Sequence, residues 1–158
     1  MADRVVMPNN VMLGEVSRLL ESGKNVILPV KGNSMLPFIT GGRDSVELTG
    51  TLPVRRGDIV LARQAGDRYV LHRVICTEGD RVVLMGDGNL KTTELCGKDD
   101  VCGTVVRIIA ADGKSRDCRN RSAMFRAGLW RVLLPVRRLL LALYRRTVYR
   151  LKISDKGK

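Results

Sequence analysis

Short apolar and β-branched segments alternate with polar turns between residues 25 and 111, and this spacing limits the possible folds more than any other feature. The predicted strands cover residues 25–30, 45–48, 58–63, 68–75, 81–85 and 101–111. Segments of this length, separated by turns such as Glu78–Asp80, are typical of antiparallel sheets. The pattern therefore predicts a mainly β fold built on a coiled antiparallel sheet.

A short helix is predicted before the first strand. Apolar residues between Val11 and Leu20 recur at helical spacing. Asn9 can cap the start of this helix, and Gly23 after it is a typical helix stop. We therefore expect one β domain with an N-terminal helix over residues 1–113.

The excess positive charge lies entirely in the remaining C-terminal segment. Residues 1–113 contain 14 Lys and Arg and 14 Asp and Glu, which cancel. Residues 114–158 contain 14 basic and 2 acidic residues and so carry the whole net charge of +12. A neutral body with a basic tail predicts an anionic partner surface, either lipid head groups or nucleic acid. The leucine content of this tail favours lipid and argues against nucleic acid.

The C-terminal segment is predicted to be a polar linker over residues 114–121, followed by an amphipathic helix. Ser122 can cap this helix, which is expected to run to about Leu151 with an interruption at Pro135. One side of the helix is apolar and carries Phe125, Leu129, Val132, Leu133, Val136, Leu140 and Leu143. The opposite side carries Arg131, Arg138, Arg145 and Arg146. This pattern predicts a helix that holds the protein on an anionic membrane surface.

No membrane-spanning helix is expected. The longest apolar run in the C-terminal segment, Leu139–Tyr144, has six residues, whereas a span needs about 20. The first eleven residues also lack the apolar stretch of a secretory signal. The expected location is therefore peripheral on a membrane, on its cytoplasmic side.

Two residues are candidates for chemistry, and the first is Ser34. It follows a predicted strand and lies in a turn shaped by Gly32 and Pro37. A serine held in such a turn can point into a cleft and offer its backbone N–H to an oxyanion. Taken alone, Ser34 could equally be a residue that merely caps the turn.

The second candidate is His72, the single histidine of the chain. Side chains alternate between the two faces of a strand, so His72 shares its face with Val70 and Val74. This places an imidazole on an apolar inner face. Taken alone, such a histidine could simply be a core residue.

Four motifs together resemble the S24/S26 serine peptidase superfamily, which contains the signal peptidases. In chain order they are Gly32–Pro37 (GNSMLP), Arg56–Val60 (RGDIV), His72–Val74 (HRV) and Gly86–Asn89 (GDGN). The resemblance covers roughly residues 25–110, and four motifs in the same order are more specific than any one of them. It implies a peptidase β domain of signal-peptidase type.

The resemblance also implies an activity and a set of site residues. Ser34 would be the nucleophile and His72 its general base, in place of the lysine of the bacterial branch. The third catalytic residue would be Asp87, with Glu94 as the second choice. The expected reaction is cleavage of an extended peptide or precursor protein by an acyl-enzyme route, with small side chains near the scissile bond.

A second interpretation stays open at this point. The chain could be a catalytically inactive or self-processing peptidase-like module that binds DNA or a partner protein. Self-cleaving repressors carry an N-terminal helix-turn-helix and a lysine base, and the residues before Ser34 are too few for that module.

No metal or cofactor is expected. The cysteines are Cys76, Cys96, Cys102 and Cys118. They form no CxxC pair, and one histidine provides no Cys/His zinc pattern. We expect free thiols.

Overall fold

The computed structural model describes residues 9–50 and 52–154, with side chains over 11–50 and 52–146. Its helices are α1 (Asn9–Glu21), α2 (Arg121–Val132) and α3 (Leu134–Ser154), with a short 3₁₀ helix at Lys98–Asp100. Its strands are β1 (Val26–Pro29), β2 (Ser45–Thr49), β3 (Ile59–Gln64), β4 (Arg68–Glu78), β5 (Arg81–Met85), β6 (Glu94–Gly97), β7 (Val101–Ile109) and β8 (Ser115–Asp117).

The strands form one antiparallel sheet in the order β1-β2-β7-β3-β4-β5-β6, with β8 paired to β7. The sheet curls into a half-barrel, and the described residues form a mainly β structure with three α-helices. The prediction of a mainly β, antiparallel fold is therefore confirmed at this level. The order also places β4 beside β5 and β5 beside β6, and this arrangement builds the site described below.

The predicted strands are all present, with ends that differ by a few residues, and two further strands were not predicted. β6 is four residues long and lacks alternation, and β8 consists of the exposed polar residues 115–117. Edge strands with little buried surface give a weak pattern in sequence. The predicted linker over 114–121 is thus wrong in part, because it contains β8.

The core lies on both faces of the sheet because β3 is buried on both. Ile59 and Leu61 pack into one apolar cluster. Val60 and Ala62, which alternate with them, pack into a second cluster with Val74. The second cluster surrounds the face of β4 that carries His72, as shown below. The four cysteines are free thiols, as expected.

The predicted C-terminal helix consists of α2 and α3, which are separated by a break at Leu133. The interruption expected at Pro135 therefore falls two residues earlier. Pro135 lies in the first turn of α3. Proline is tolerated there because the N–H groups of the first turn have no hydrogen-bond partner within the helix. The side chain of Asn120 accepts a hydrogen bond from the Ala123 N–H and caps α2, in the place predicted for Ser122.

Two leucines of the sheet provide a test of the core. Leu48 is fully buried and Leu95 is 63% exposed. Leu48→Ala should lower the free energy of unfolding by about 3 kcal/mol, because it removes buried methyl groups and leaves a cavity. Leu95→Ala, the matched control, should change it by less than about 0.5 kcal/mol in urea titrations. Equal losses from both variants would contradict this core.

Candidate active site

The turn that carries Ser34 is anchored by the residues that follow the serine. Met35 and Ile39 are buried in the first apolar cluster, whereas Ser34 itself is exposed. The carbonyl of Met35 accepts hydrogen bonds from the N–H groups of Phe38 and Ile39. Buried neighbours and a hydrogen-bonded turn therefore fix the backbone while the hydroxyl stays accessible to solvent.

A second turn, formed by residues 86–89 and called here the 86–89 turn, packs directly against Ser34. The Gly88 N–H donates a hydrogen bond of 2.7 Å to the carbonyl of Ser34. A Cβ on Gly86 would lie only 2.5 Å from the same oxygen. The close approach of the two turns therefore requires glycine at position 86.

His72 lies on β4 where its sequence neighbours predict it. It is 6% exposed. On the same face, Val74 belongs to the second apolar cluster and Val70 packs against it. Its Nδ1 lies 2.6 Å from Oε2 of Glu94, a short contact that is nearly excluded from solvent. The imidazole is thus held by a carboxylate at one nitrogen.

Strand register explains why Glu94 is the residue that reaches His72. Directly opposed residues of an antiparallel pair share a face. Val74 opposes Leu84, and Leu84 opposes Glu94. His72 is two residues from Val74 and therefore on the same face as Glu94. The register across β4, β5 and β6 brings the imidazole and the carboxylate together.

Asp87 has a different partner. Its two oxygens accept hydrogen bonds from Nε and Nη2 of Arg73 at 2.8 and 2.7 Å, and both residues are buried. Arg73 follows His72 and so points to the opposite face of β4. The expectation that Asp87 orients His72 is corrected here, because Asp87 lies on the other face, and Glu94, the second choice, occupies that position.

β5 connects the Ser34 turn to the strand that carries His72, because the Ser34 turn packs on the turn after β5 and β5 pairs with β4. Arg73 is paired with Met85, and Gly86, which contacts the Ser34 carbonyl, follows Met85 directly. No hydrogen bond joins the Ser34 and His72 side chains in the described residues.

Asp58, in the second of the four motifs, holds the turn that precedes β3. It is buried, and one carboxylate oxygen accepts a hydrogen bond from the Arg55 N–H at 2.8 Å. Burial raises the pKa of Asp58, while the bond from Arg55 and the charge of Arg119, 3.1 Å away, oppose that shift. These contacts fix the start of β3.

Two residues of the C-terminal helices reach the 86–89 turn, and sequence reasoning did not place them there. Trp130 Nε1 donates to the carbonyl of Asp87 at 2.9 Å, and its ring meets Phe38 edge to face. Arg137 donates to the carbonyl of Asn89 at 3.0 Å. The sequence contained one indication that Arg137 packs inward, because this arginine interrupts the apolar side of the predicted helix. The indole N–H of Trp130 is therefore used within the protein.

The Arg73–Asp87 pair should stabilise the fold without orienting the imidazole. Asp87→Asn leaves a buried guanidinium without its carboxylate, and we expect a loss of about 3 kcal/mol in the free energy of unfolding. Asp112→Asn, which removes the exposed Asp112–Lys114 pair, is the control and should cause no measurable loss. Denaturant unfolding of the three proteins measures both values, and an Asp87→Asn protein as stable as wild type would contradict the prediction.

Comparison with known proteins does not identify a family for this chain. No protein-family model matches it, and no curated protein matches it significantly.

Proposed function

We propose that the protein is a serine endopeptidase of signal-peptidase type, with Ser34 as nucleophile, His72 as general base and Glu94 as the group that orients His72. The observation that supports it most is the 2.6 Å contact between His72 and Glu94 on a buried face. A carboxylate that fixes an imidazole, in a chain that also presents an exposed serine in a hydrogen-bonded turn, provides the three residue types of a serine hydrolase triad. The motifs that contain Ser34 and His72 support the roles proposed for these two residues, whereas Glu94 lies outside the four motifs and is assigned from its contact with His72.

The chemistry of the dyad follows from the proton positions. With Glu94 ionised, its contact with His72 requires the proton on Nδ1, so Nε2 carries the lone pair. Nε2 would take the proton from Ser34 as Oγ attacks the scissile carbonyl carbon. The imidazolium would then give this proton to the leaving amine, and an acyl-enzyme ester would remain on Ser34. A water molecule, deprotonated by the same nitrogen, would hydrolyse the ester and restore the enzyme.

The substrate would be an extended peptide. β1 lies at one end of the strand order and ends at Pro29, shortly before Ser34. A peptide that adds to the outer edge of β1 would be hydrogen-bonded along its backbone and would lead toward the serine turn. The negative oxygen formed during attack would be stabilised by the backbone N–H of Ser34, as in an oxyanion hole.

The nucleophile is tested by covalent labelling. A fluorophosphonate probe should label the wild-type protein once, at Ser34, and should not label Ser34→Ala. Ser115→Ala, which removes an exposed serine on β8, is the matched control and should be labelled like wild type. His72→Ala should reduce labelling and peptide cleavage about 10⁴-fold, and the double variant should be little worse than either single one. Full cleavage by Ser34→Ala would exclude Ser34 as the nucleophile, and a wild-type protein that is neither labelled nor active would favour the binding-module interpretation.

The role of Glu94 is tested by a conservative change. Glu94→Gln keeps the shape but removes the charge that stabilises the imidazolium, so kcat should fall by about 10²- to 10⁴-fold with little change in KM. Glu78→Gln, on the exposed end of β4, is the control and should retain activity. Activity unchanged in Glu94→Gln would remove this residue from the proposed mechanism.

The same proposal places the peptidase on a membrane surface as a peripheral protein. Among the described helices, none has the length and apolar character needed to cross a bilayer. On α2 and α3, however, large apolar side chains are exposed instead of packed on the sheet. They are Phe125, Leu129, Val132, Leu134, Val136, Leu139 and Leu143. Exposed apolar residues combined with basic side chains favour an anionic lipid surface.

Vesicle co-sedimentation of the full chain tests this location. The protein should bind vesicles that contain phosphatidylglycerol, bind neutral vesicles poorly and dissociate at high salt. The double variant Leu139→Gln, Leu143→Gln should bind about tenfold more weakly, because it removes apolar groups that enter the interface. The control Ile27→Gln, Leu95→Gln changes two equally exposed apolar residues of the sheet and should bind like wild type. Equal weakening by both variants would contradict the assignment.

A further inference from the structure

A cavity of about 240 Å³ lies between the sheet and the C-terminal helices. Its walls come from β4, from the turns before β3 and after β5, and from α2 and α3. Four arginines line it: Arg56, Arg73, Arg131 and Arg137. The rest of the lining is largely apolar and includes Val74, Met85 and Met124.

The charges around this cavity do not balance. Asp87 is the one carboxylate among the described residues that line it, and both of its oxygens bind Arg73. None of the ion pairs in the described part of the chain involves Arg56, Arg131 or Arg137. Arg131 contacts only a backbone carbonyl, that of Ile75 at 3.4 Å. Three of the four lining arginines therefore have no ion-pair partner among the described residues, and the nearest carboxylate, Asp87, is already paired with Arg73.

Arg137 shows the imbalance most clearly, because it is 3% exposed. Its Nη1 and Nη2 donate to the carbonyls of Asn89 and Trp130, and its guanidinium lies over the Trp130 ring. Its Nε is buried without a hydrogen-bond partner. Burial lowers the pKa of Arg137. The positive charge of Arg73 lowers this pKa further, whereas the negative charge of Asp87 opposes the shift. Buried charges in proteins are normally paired, so this group is short of an anion.

We infer that this arginine-lined cavity binds a phosphate group. A tetrahedral anion with up to two charges suits a cavity lined by several arginines, because guanidinium groups bind phosphate oxygens through paired N–H donors. The phosphate could belong to a small phosphomonoester or to the head group of a phospholipid, since α2 and α3 also carry the exposed apolar residues. A bound phosphate would join α2 and α3 to β4. The site does not involve Ser34, so it stands independently of the peptidase proposal.

Isothermal titration calorimetry on the full chain at constant ionic strength tests the site, with inorganic phosphate and a soluble short-chain phosphatidylglycerol as separate probes. Arg131→Gln and Arg56→Gln each remove one lining charge and should weaken binding tenfold or more, which corresponds to about 1.4 kcal/mol. Arg138→Gln removes the same charge from an exposed position on α3 and should change binding less than twofold. Ser34→Ala should bind like wild type.

Each result decides the inference. Binding of inorganic phosphate that is lost in the lining variants supports the site and identifies a free phosphate or phosphomonoester as its ligand class. Binding of the lipid probe alone, with the same loss, supports the site and identifies a head group. The inference is overturned if neither probe binds, or if Arg138→Gln weakens binding as much as the lining variants. It is also overturned if either Arg131→Gln or Arg56→Gln binds like wild type, so a loss that comes from misfolding of one variant cannot support the site by itself.

Discussion

The alternation of side chains along β4 is the constraint on which the site depends. His72 and Arg73 are adjacent, so they point to opposite faces of the sheet, and each finds its own carboxylate there. On one face the imidazole is held by Glu94 among aliphatic residues, and on the other the guanidinium is paired with Asp87. A shift of one residue in the pairing of β4 would exchange the two faces and bring the arginine to the carboxylate of Glu94.

The 86–89 turn joins three parts of the molecule. Its Gly88 N–H binds the Ser34 carbonyl, and the Asp87 side chain binds Arg73. The carbonyls on either side of Gly88 accept hydrogen bonds from Trp130 and Arg137 of the C-terminal helices. A displacement of α2 or α3 would therefore move the 86–89 turn, and through the hydrogen bond from Gly88 it would also move the backbone of Ser34. The C-terminal helices therefore pack against the candidate site, whereas the sequence predicted a helix joined to the β domain only through a linker.

Sequence patterns located the strands and the candidate residues but not their pairing. Period-two alternation on β4 correctly placed His72 between Val70 and Val74, because that signal is local. The choice between Asp87 and Glu94 depended on the registers of β4 with β5 and of β5 with β6, and the first of these includes an irregularity between Val74 and Cys76. A bulge changes which residues oppose each other, and one sequence does not reveal its position. β6 itself was too short and too exposed to be recognised.

The C-terminal helix α3 buries an arginine and exposes two leucines. This arrangement connects the proposed phosphate site with the proposed membrane surface. On α3, Arg137 and Leu141 are buried one turn apart, whereas Leu139 and Leu143 face solvent. A helix that only packed on the sheet would bury its leucines and expose its arginines. Here the buried arginine is used for the 86–89 turn and the proposed phosphate site, and the exposed leucines lie on the side of α3 that is proposed to meet a lipid surface. Since these groups lie on opposite sides of α3, the helix could contact a membrane without releasing the turn that supports Ser34.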